Sequence, residues 1–363
     1  MSRSRIVRLT FLPILLAGAA AWADESAGRY DADGDGFLSR SELRSAAEDR
    51  GVTGDLDRRV SDVLDRYDED RDDRLDRVEA GRLAADLRQR RPEGRRNPVS
   101  ARGVLYVAGG DRRAQTLDVY APAGARGAAV VVYVHGGGWS VGDKSQVGAK
   151  ATYFNDLGYI LVSVNYRLSP AVSHPRHVED VAAALAWVHR NIADHGGDPA
   201  RIGLLGHSAG AHLVALVATN PRFLAAHGLD RSILRGVVPV DFGHYDVAEL
   251  VEVAPRFANV FPRDADGLRD ASPIHHVAPD GGIPDFLFLL AGSGRDASSK
   301  ARRMEAMRST LEGAGIGAEI VEAPGKNHGS INQEIGLVDD AITKAVGRFF
   351  AARFGTVTLP EPK

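Results

Sequence analysis

The pentapeptide Gly206-His207-Ser208-Ala209-Gly210 fits the spacing G-x-S-x-G. It follows the apolar run Ile202-Gly203-Leu204-Leu205 and precedes an alanine- and leucine-rich helical stretch, His212 to Thr219. Strand, sharp turn and helix in that order make a nucleophile elbow, which lifts a serine hydroxyl off the end of a sheet. The turn crowds the positions two residues to either side, so both must be glycine. Such a serine needs a base to take its proton, an acid group to orient that base, and N–H donors for the oxyanion that forms. Twelve histidines compete for the place of the base.

A second stretch with chemistry in it lies far upstream. Asp31-Ala32-Asp33-Gly34-Asp35-Gly36-Phe37-Leu38-Ser39-Arg40-Ser41-Glu42 matches a calcium loop, with carboxylates at positions 1, 3 and 5, glycine at 6 and glutamate at 12. Asp31, Asp33, Asp35 and Glu42 would supply side-chain oxygens, and Phe37, at position 7, its carbonyl. The oxygens converge on one cation only if the chain bends at position 6. A second copy runs through Asp68, Asp70, Asp72, Arg74 and Glu79, with Asp73 where the loop wants glycine. Aspartate enters the left-handed conformation at some cost, so this loop is expected to bind more weakly. The two loops resemble a paired EF-hand, with Leu43 after the first and Val60, Val63 and Leu64 before the second at helical spacing. The expected ion is Ca²⁺, structural or regulatory.

The elements that must position the serine read as follows. Val104–Ala108 and Thr116–Tyr120 are expected to be paired strands around a Gly109-Gly110-Asp111 turn. Ala129–Val134 is a continuous apolar run of the kind buried on both faces of a parallel sheet. Ile160–Val164, Ile202–Leu205, Val237–Val240, Phe286–Leu290 and Ile320-Val321 are further strand candidates, with helical patterns at Val178–Ile192, Lys300–Glu312 and Val338–Phe350. Strand alternating with helix over some 250 residues predicts an open α/β sheet.

Composition sets the frame. The 363 residues are 44% hydrophobic and 26% charged, enough for one large domain and a small one. There is no cysteine, which excludes disulfides and thiolate metal sites. Arg3, Arg5 and Arg8 precede the apolar run Leu9–Ala21, and Ala21-Trp22-Ala23 offers a cleavage site. Residues 1–23 are therefore expected to be a signal peptide cleaved after Ala23, giving a secreted or periplasmic protein without stable membrane insertion. Cleavage would take the formal net charge from -3 to -6. Residues 24–86 are acidic and correspond to the calcium-loop pair, whereas 87–102 are rich in arginine, proline and glycine and read as a linker. Without interleaved aromatics or a reader fold, those arginines do not point to nucleic acid. Residues 103–363 remain for the α/β domain, with a cap-like excursion at about 241–284 that includes Tyr245, Phe257, Phe261 and Pro262.

Leu117-Asp118-Val119-Tyr120-Ala121-Pro122, His135-Gly136-Gly137-Gly138-Trp139, Val164-Asn165-Tyr166-Arg167-Leu168, the Ser208 elbow and Asn327-His328-Gly329 together resemble the α/β-hydrolase superfamily. The nearest branch is similar to hormone-sensitive-lipase-like and bacterial carboxylesterases, including feruloyl-esterase-like and arylformamidase-like members. The resemblance spans about Val104 to Phe350 and implies the α/β-hydrolase fold, a mostly parallel sheet with helices on both faces, preceded here by the small all-α EF-hand pair.

It also implies the site. The chain order serine, acid, histidine makes Ser208 the nucleophile and places the base at His328, after the last strand. His275 and His276 are rivals that break this order. Asp296, 32 positions before His328 and just past the strand Phe286–Leu290, matches the superfamily's acid. Asp241, at the end of Val237–Val240, is the alternative, and Asp285 sits at the wrong end of its strand. The glycine run gives Gly137 and Gly138 as oxyanion donors with the N–H of Ala209, while His135 braces the loop. The expected reaction is hydrolysis of short-chain, aryl or polysaccharide-linked acyl esters through an acyl-enzyme, with activity rising through about pH 6–7, where imidazole ordinarily loses its proton. An arylformamidase-like amide hydrolase, or a calcium-dependent binding or adhesion protein on an inactive scaffold, are the alternatives. The oligomeric state is left open.

Overall fold

The computed structural model describes residue 33 and residues 35–48, 56–76, 78–80, 99–279, 281–292, 294–337 and 340–355. The expected signal peptide, Asp31 and most of the linker lie outside the described residues. The chain divides into two compact units, Met1–Arg96 and Asn97–Lys363.

In the smaller unit, strand β1 (Leu38–Ser39) pairs antiparallel with β2 (Arg74–Leu75), Leu38 opposite Leu75. Helices Arg40–Glu48 and Leu56–Tyr67 adjoin this ribbon. Leu38, Leu43, Val60, Val63, Leu64 and Leu75 are all buried, as their helical and strand spacing requires.

The larger unit is built on an eight-stranded sheet. Its strands are β3 (Val99–Leu105), β4 (Thr116–Tyr120), β5 (Ala128–Val134), β6 (Ile160–Val164), β7 (Gly197–His207), β8 (Leu234–Val240), β9 (Phe286–Ala291) and β10 (Ala318–Ala323). They lie in the order β10-β9-β8-β7-β5-β6-β4-β3, parallel from β10 through β6 and antiparallel at β6/β4 and β4/β3. Val99 to Arg102, counted with the linker in the sequence, already belong to β3, because this edge strand runs further back along β4 than its apolar residues suggest.

The continuous apolar character of β5 follows from the two-residue period of a strand. Val130, Val132 and Val134 enter the core on one face, with helices Arg176–Asn191 and Ala209–Thr219; Ala129, Val131 and Tyr133 enter the other, with Lys150–Asp156 and Ala341–Phe354. Each fully buried valine contributes about 1.5–3 kcal/mol relative to exposure. On the second face Gly203 and Gly236 leave room for the rings of Phe350 and Phe349, which a Cβ would meet at 2.4 and 2.7 Å. The sheet is thereby clamped between two helical layers, and the carboxyl ends of its central parallel strands form one rim, the place where open α/β sheets hold ligands.

Candidate active site

Ser208 stands between β7, which ends at His207, and helix Ala209–Thr219. Its φ of 52° and ψ of −117° are strained for a residue with a side chain, as an elbow requires. A Cβ on Gly206 would lie 2.3 Å from the carbonyl oxygen of Gly210, and one on Gly210 would lie 2.1 Å from that of Val134. The two glycines are thus demanded by the start of the helix and the end of β5.

His328, in the loop after β10, brings Nε2 to 3.0 Å from Ser208 Oγ. Asn327 shapes that loop, its side-chain oxygen accepting the N–H groups of Gly329 and Ser330 at 2.9 and 2.8 Å. On its other side the His328 ring presents Nδ1 to Asp241 Oδ2 at 2.6 Å.

The carboxylate that meets His328 is therefore that of Asp241, the alternative in the sequence, rather than the Asp296 that the resemblance implied. Asp296 falls in the first turn of helix Gly294–Gly313, and its side chain is outside the described residues. Asp241 is the first residue after β8 and has a φ of 50°, a left-handed turn at the sheet rim. Its carboxylate is fully buried and also accepts Ala291 N–H at 2.9 Å and Lys300 Nζ at 2.6 and 2.7 Å. Burial alone would raise this carboxyl, but the hydrogen bonds from His328, Lys300 and Ala291 hold it below the ordinary carboxylate range.

The glycine run after β5 lies against the nucleophile. A Cβ on Gly136 would come 3.1 Å from Ser208 Cβ, and one on Gly137 would strike the Val141 carbonyl at 2.0 Å. Gly137 and Gly138 have φ of 110° and 59°, the conformational freedom this loop needs. Ala209 opens its helix, so its N–H has no carbonyl one turn earlier to bond. His135 is buried, stacked 4.6 Å from Tyr166, with Nδ1 2.7 Å from Gly136 O, and Tyr166 donates to His135 O at 3.1 Å. It braces the loop and takes no part at the serine.

Comparisons with known proteins show what the chain is similar to. The BD-FAE family model matches residues 117–234, which carry the glycine run and the elbow but neither Asp241 nor His328. Esterase LipQ of Mycobacterium tuberculosis is 31% identical over 314 residues, covering 75% of this chain and 73% of LipQ. The chain belongs to the esterase family of α/β-hydrolases. Carboxylesterase NlhH of M. tuberculosis is 33% identical over 61% of this esterase and 72% of NlhH. Among solved structures, EstE1, a thermostable carboxylesterase from a metagenomic library, matches with a TM-score of 0.52 at 26% identity, over 66% of this chain and 83% of that one.

Two features of the esterase's site were not legible from motif spacing. His207, the variable residue inside the elbow, places its ring 4.7 Å from that of His328 and its Nε2 2.8 Å from His328 O. Burial, then the neighbouring His328, push its pKa down to about 4, so the ring is neutral and must donate from Nε2 to that carbonyl. Lys300, on helix Gly294–Gly313, reaches both oxygens of Asp241. The rival histidines are committed elsewhere: His275 faces Asp246 at 3.3 Å, and His276 meets Asp270 O at 3.0 Å. Asp285 bonds Gly317 N–H and Arg353 at the far end of β9.

A pocket of about 570 Å³ opens beside the nucleophile, lined by Gly136, Gly137, Val141, His207, Lys150 and Asn332 among others. A larger groove of about 790 Å³ is bordered by Asp246, Glu249, Arg302 and Arg303, whereas the smaller pocket is lined by Gly136 and Gly137 of the glycine run and by His207 and Gly329, the chain neighbours of Ser208 and His328, which makes it the substrate candidate. The excursion after β8 folds as helices Val247–Val253 and Ala265–Asp270 with one short helical turn, Pro255–Phe257, between them. Its Phe257 reaches the glycine run, 3.2 Å from where a Gly138 Cβ would be. Trp139 is buried among His212, Phe242, Phe257 and Phe261, centroids 5.0–6.1 Å away, which makes it a core residue.

In the smaller unit, carboxylate oxygens of Asp68, Asp70 and Glu79 lie within 4.8 Å of one another, and Glu79 is buried. Asp73 takes φ 66° at the sixth position, the conformation that Gly36 takes at φ 85° in the first loop. Arg74 donates to Asp72 Oδ2 at 2.6 Å and approaches Asp35 Oδ2 at 3.4 Å.

Proposed function

We propose that this esterase cleaves carboxylic esters by acyl transfer through Ser208, with His328 as general base and Asp241 as the group that orients it. The observation that carries the reading is the unbroken relay from Ser208 Oγ through the His328 ring to Asp241, at 3.0 and 2.6 Å. His328 takes the serine proton as Oγ attacks the acyl carbonyl and returns it to the departing alcohol. Water, deprotonated by the same ring, then releases the acid. Gly137, Gly138 and Ala209 N–H groups receive the oxyanion, each such donor typically contributing about 2.7–4 kcal/mol to the transition state. Phe257 beside the oxyanion loop and the 570 Å³ pocket support short-chain, aryl or polysaccharide-linked acyl esters as substrates.

The test is turnover of p-nitrophenyl acetate and butyrate together with fluorophosphonate labelling. A single adduct on Ser208, found by peptide mass spectrometry, with loss of turnover in proportion, is the expected result. Turnover that persists in fully labelled protein would overturn the reading.

We infer in addition that the smaller unit holds Ca²⁺ in two loops, the first through Asp31, Asp33, Asp35, Glu42 and the Phe37 carbonyl, the second through Asp68, Asp70, Asp72, Glu79 and the Arg74 carbonyl. The converging oxygens of Asp68, Asp70 and Glu79 support a hard cation there. The Arg74 guanidinium on Asp72 must yield that oxygen, and Asp73 carries the left-handed strain, so the second loop is the weaker. Export after cleavage at Ala23 would place both loops where extracellular modules work, at about 10⁻⁴–10⁻³ M. In calorimetric titration Glu42→Gln is expected to remove the tighter calcium phase and Glu79→Gln the weaker; the reverse assignment would refute the ranking.

A further inference from the structure

The acid on His328 is not a bare carboxylate. Lys300 Nζ lies 2.6 Å from Asp241 Oδ1 and 2.7 Å from Oδ2, straddling the group. The Asp241 carboxylate is fully buried and the lysine side chain only 25% exposed, so this pair is not one of the solvent-screened surface bridges that contribute little. The approach is built into the backbone. Gly243, two residues after Asp241, packs on Lys300: a Cβ there would lie 3.1 Å from both its Cα and its Cγ. A side chain at position 243 would crowd the helix at Lys300.

We propose that Lys300 is a positioning residue of the Asp241–His328 pair: it fixes the carboxylate toward His328 and offsets its charge, extending esterase activity to lower pH. The inference rests on Asp241 being the orienting acid. A carboxylate next to an imidazole favours the imidazolium, which holds the base protonated and inactive as the pH falls. An ammonium on that same carboxylate opposes the effect from the far side.

The other groups around the pair do not supply this counter-charge. His207, from β7, is neutral at working pH. Tyr245, buried near Asp241, has its phenol raised well above the ordinary value by burial and by Asp241, and so is uncharged. Lys150 acts on His207 and donates to Asn332 O at 2.5 Å, away from the Asp241 carboxylate. On the Lys300 helix, Arg303 is engaged by Glu249 at 3.1 Å. Among the described residues, Lys300 is the cation in contact with Asp241.

The experiment follows the His328 ring protons by NMR, assigned with His328→Gln, through a pH titration of the intact protein, Lys300→Met and Lys300→Arg, alongside kcat/KM against pH for p-nitrophenyl butyrate. In Lys300→Met the ring titration and the acid limb of kcat/KM are both expected to move up by about one pH unit, and Lys300→Arg to move them back. In an Asp241→Asn background, Lys300→Met should shift the ring upward by clearly less, since only the direct effect of the ammonium on the ring is left. A folded Lys300→Met protein whose ring titrates as in the wild type, or an upward shift undiminished in Asp241→Asn, would overturn the proposal. The NMR titration needs no turnover, so it decides the role of Lys300 even if the esterase mechanism fails its own labelling test.

Discussion

Ser208→Ala is expected to lower kcat for p-nitrophenyl butyrate by about 10⁶-fold, the scale of loss when the nucleophile of a serine triad is removed. The substitution takes away one oxygen at the sheet rim and leaves the Cβ, so the strained φ of 52° and the glycines that permit it are unaffected. Folding should be retained, with far-ultraviolet circular dichroism and thermal midpoint as in the wild type, while the pre-steady-state burst vanishes and steady turnover falls to a residual level. A folded Ser208→Ala protein with wild-type turnover would move the nucleophile to another residue. Residual catalysis above water is expected, because the N–H groups of Gly137, Gly138 and Ala209 remain to receive an oxyanion.

The next largest effect separates two carboxylates. Asp241→Asn should cost about 10⁴-fold in kcat, since an amide can no longer hold the His328 ring in the tautomer that accepts from serine. It also leaves Lys300 facing a neutral group where it now meets a charge at 2.6 Å. Asp296→Asn should leave kcat close to that of the wild type, because the carboxylate on His328 Nδ1 belongs to Asp241. Steady-state kinetics of the two variants side by side is sufficient. If Asp296→Asn were the inactive one, the acid would lie after β9 and the Asp241 contact would be one of support alone.

The contrast between these aspartates marks how far sequence reasoning reaches. Asp241 and Asp296 follow neighbouring parallel strands, β8 and β9, whose residues Val240 and Leu289 are paired. Neighbouring strands lie about 4.8 Å apart, so either loop can deliver a carboxylate to the same imidazole. Chain order allows both, and the resemblance to the superfamily favoured the later one. The left-handed turn at Asp241 and its buried hydrogen bonds to Ala291 and Lys300 select the earlier one. Nothing in a window around Asp241 encodes a lysine 59 residues further on.

What the sequence by itself determined were the features set by short-range sterics and by periodicity. Gly206 and Gly210 around Ser208, the glycine run after His135, the sixth-position residues Gly36 and Asp73, and the unbroken apolar run of β5 each answer a constraint within a few residues, and each is where its spacing placed it. The loop of His328 was legible for a related reason, since it links the last strand to the C-terminal helix. Tertiary structure alone decided which acid meets that histidine across 87 residues, that Lys300 straddles the acid, and that His207 holds the His328 carbonyl across 121 residues. Those contacts arise where the ends of β7, β8 and β10 converge with helix Gly294–Gly313, and a side chain finds its partner there by the packing of whole elements, which no local pattern records.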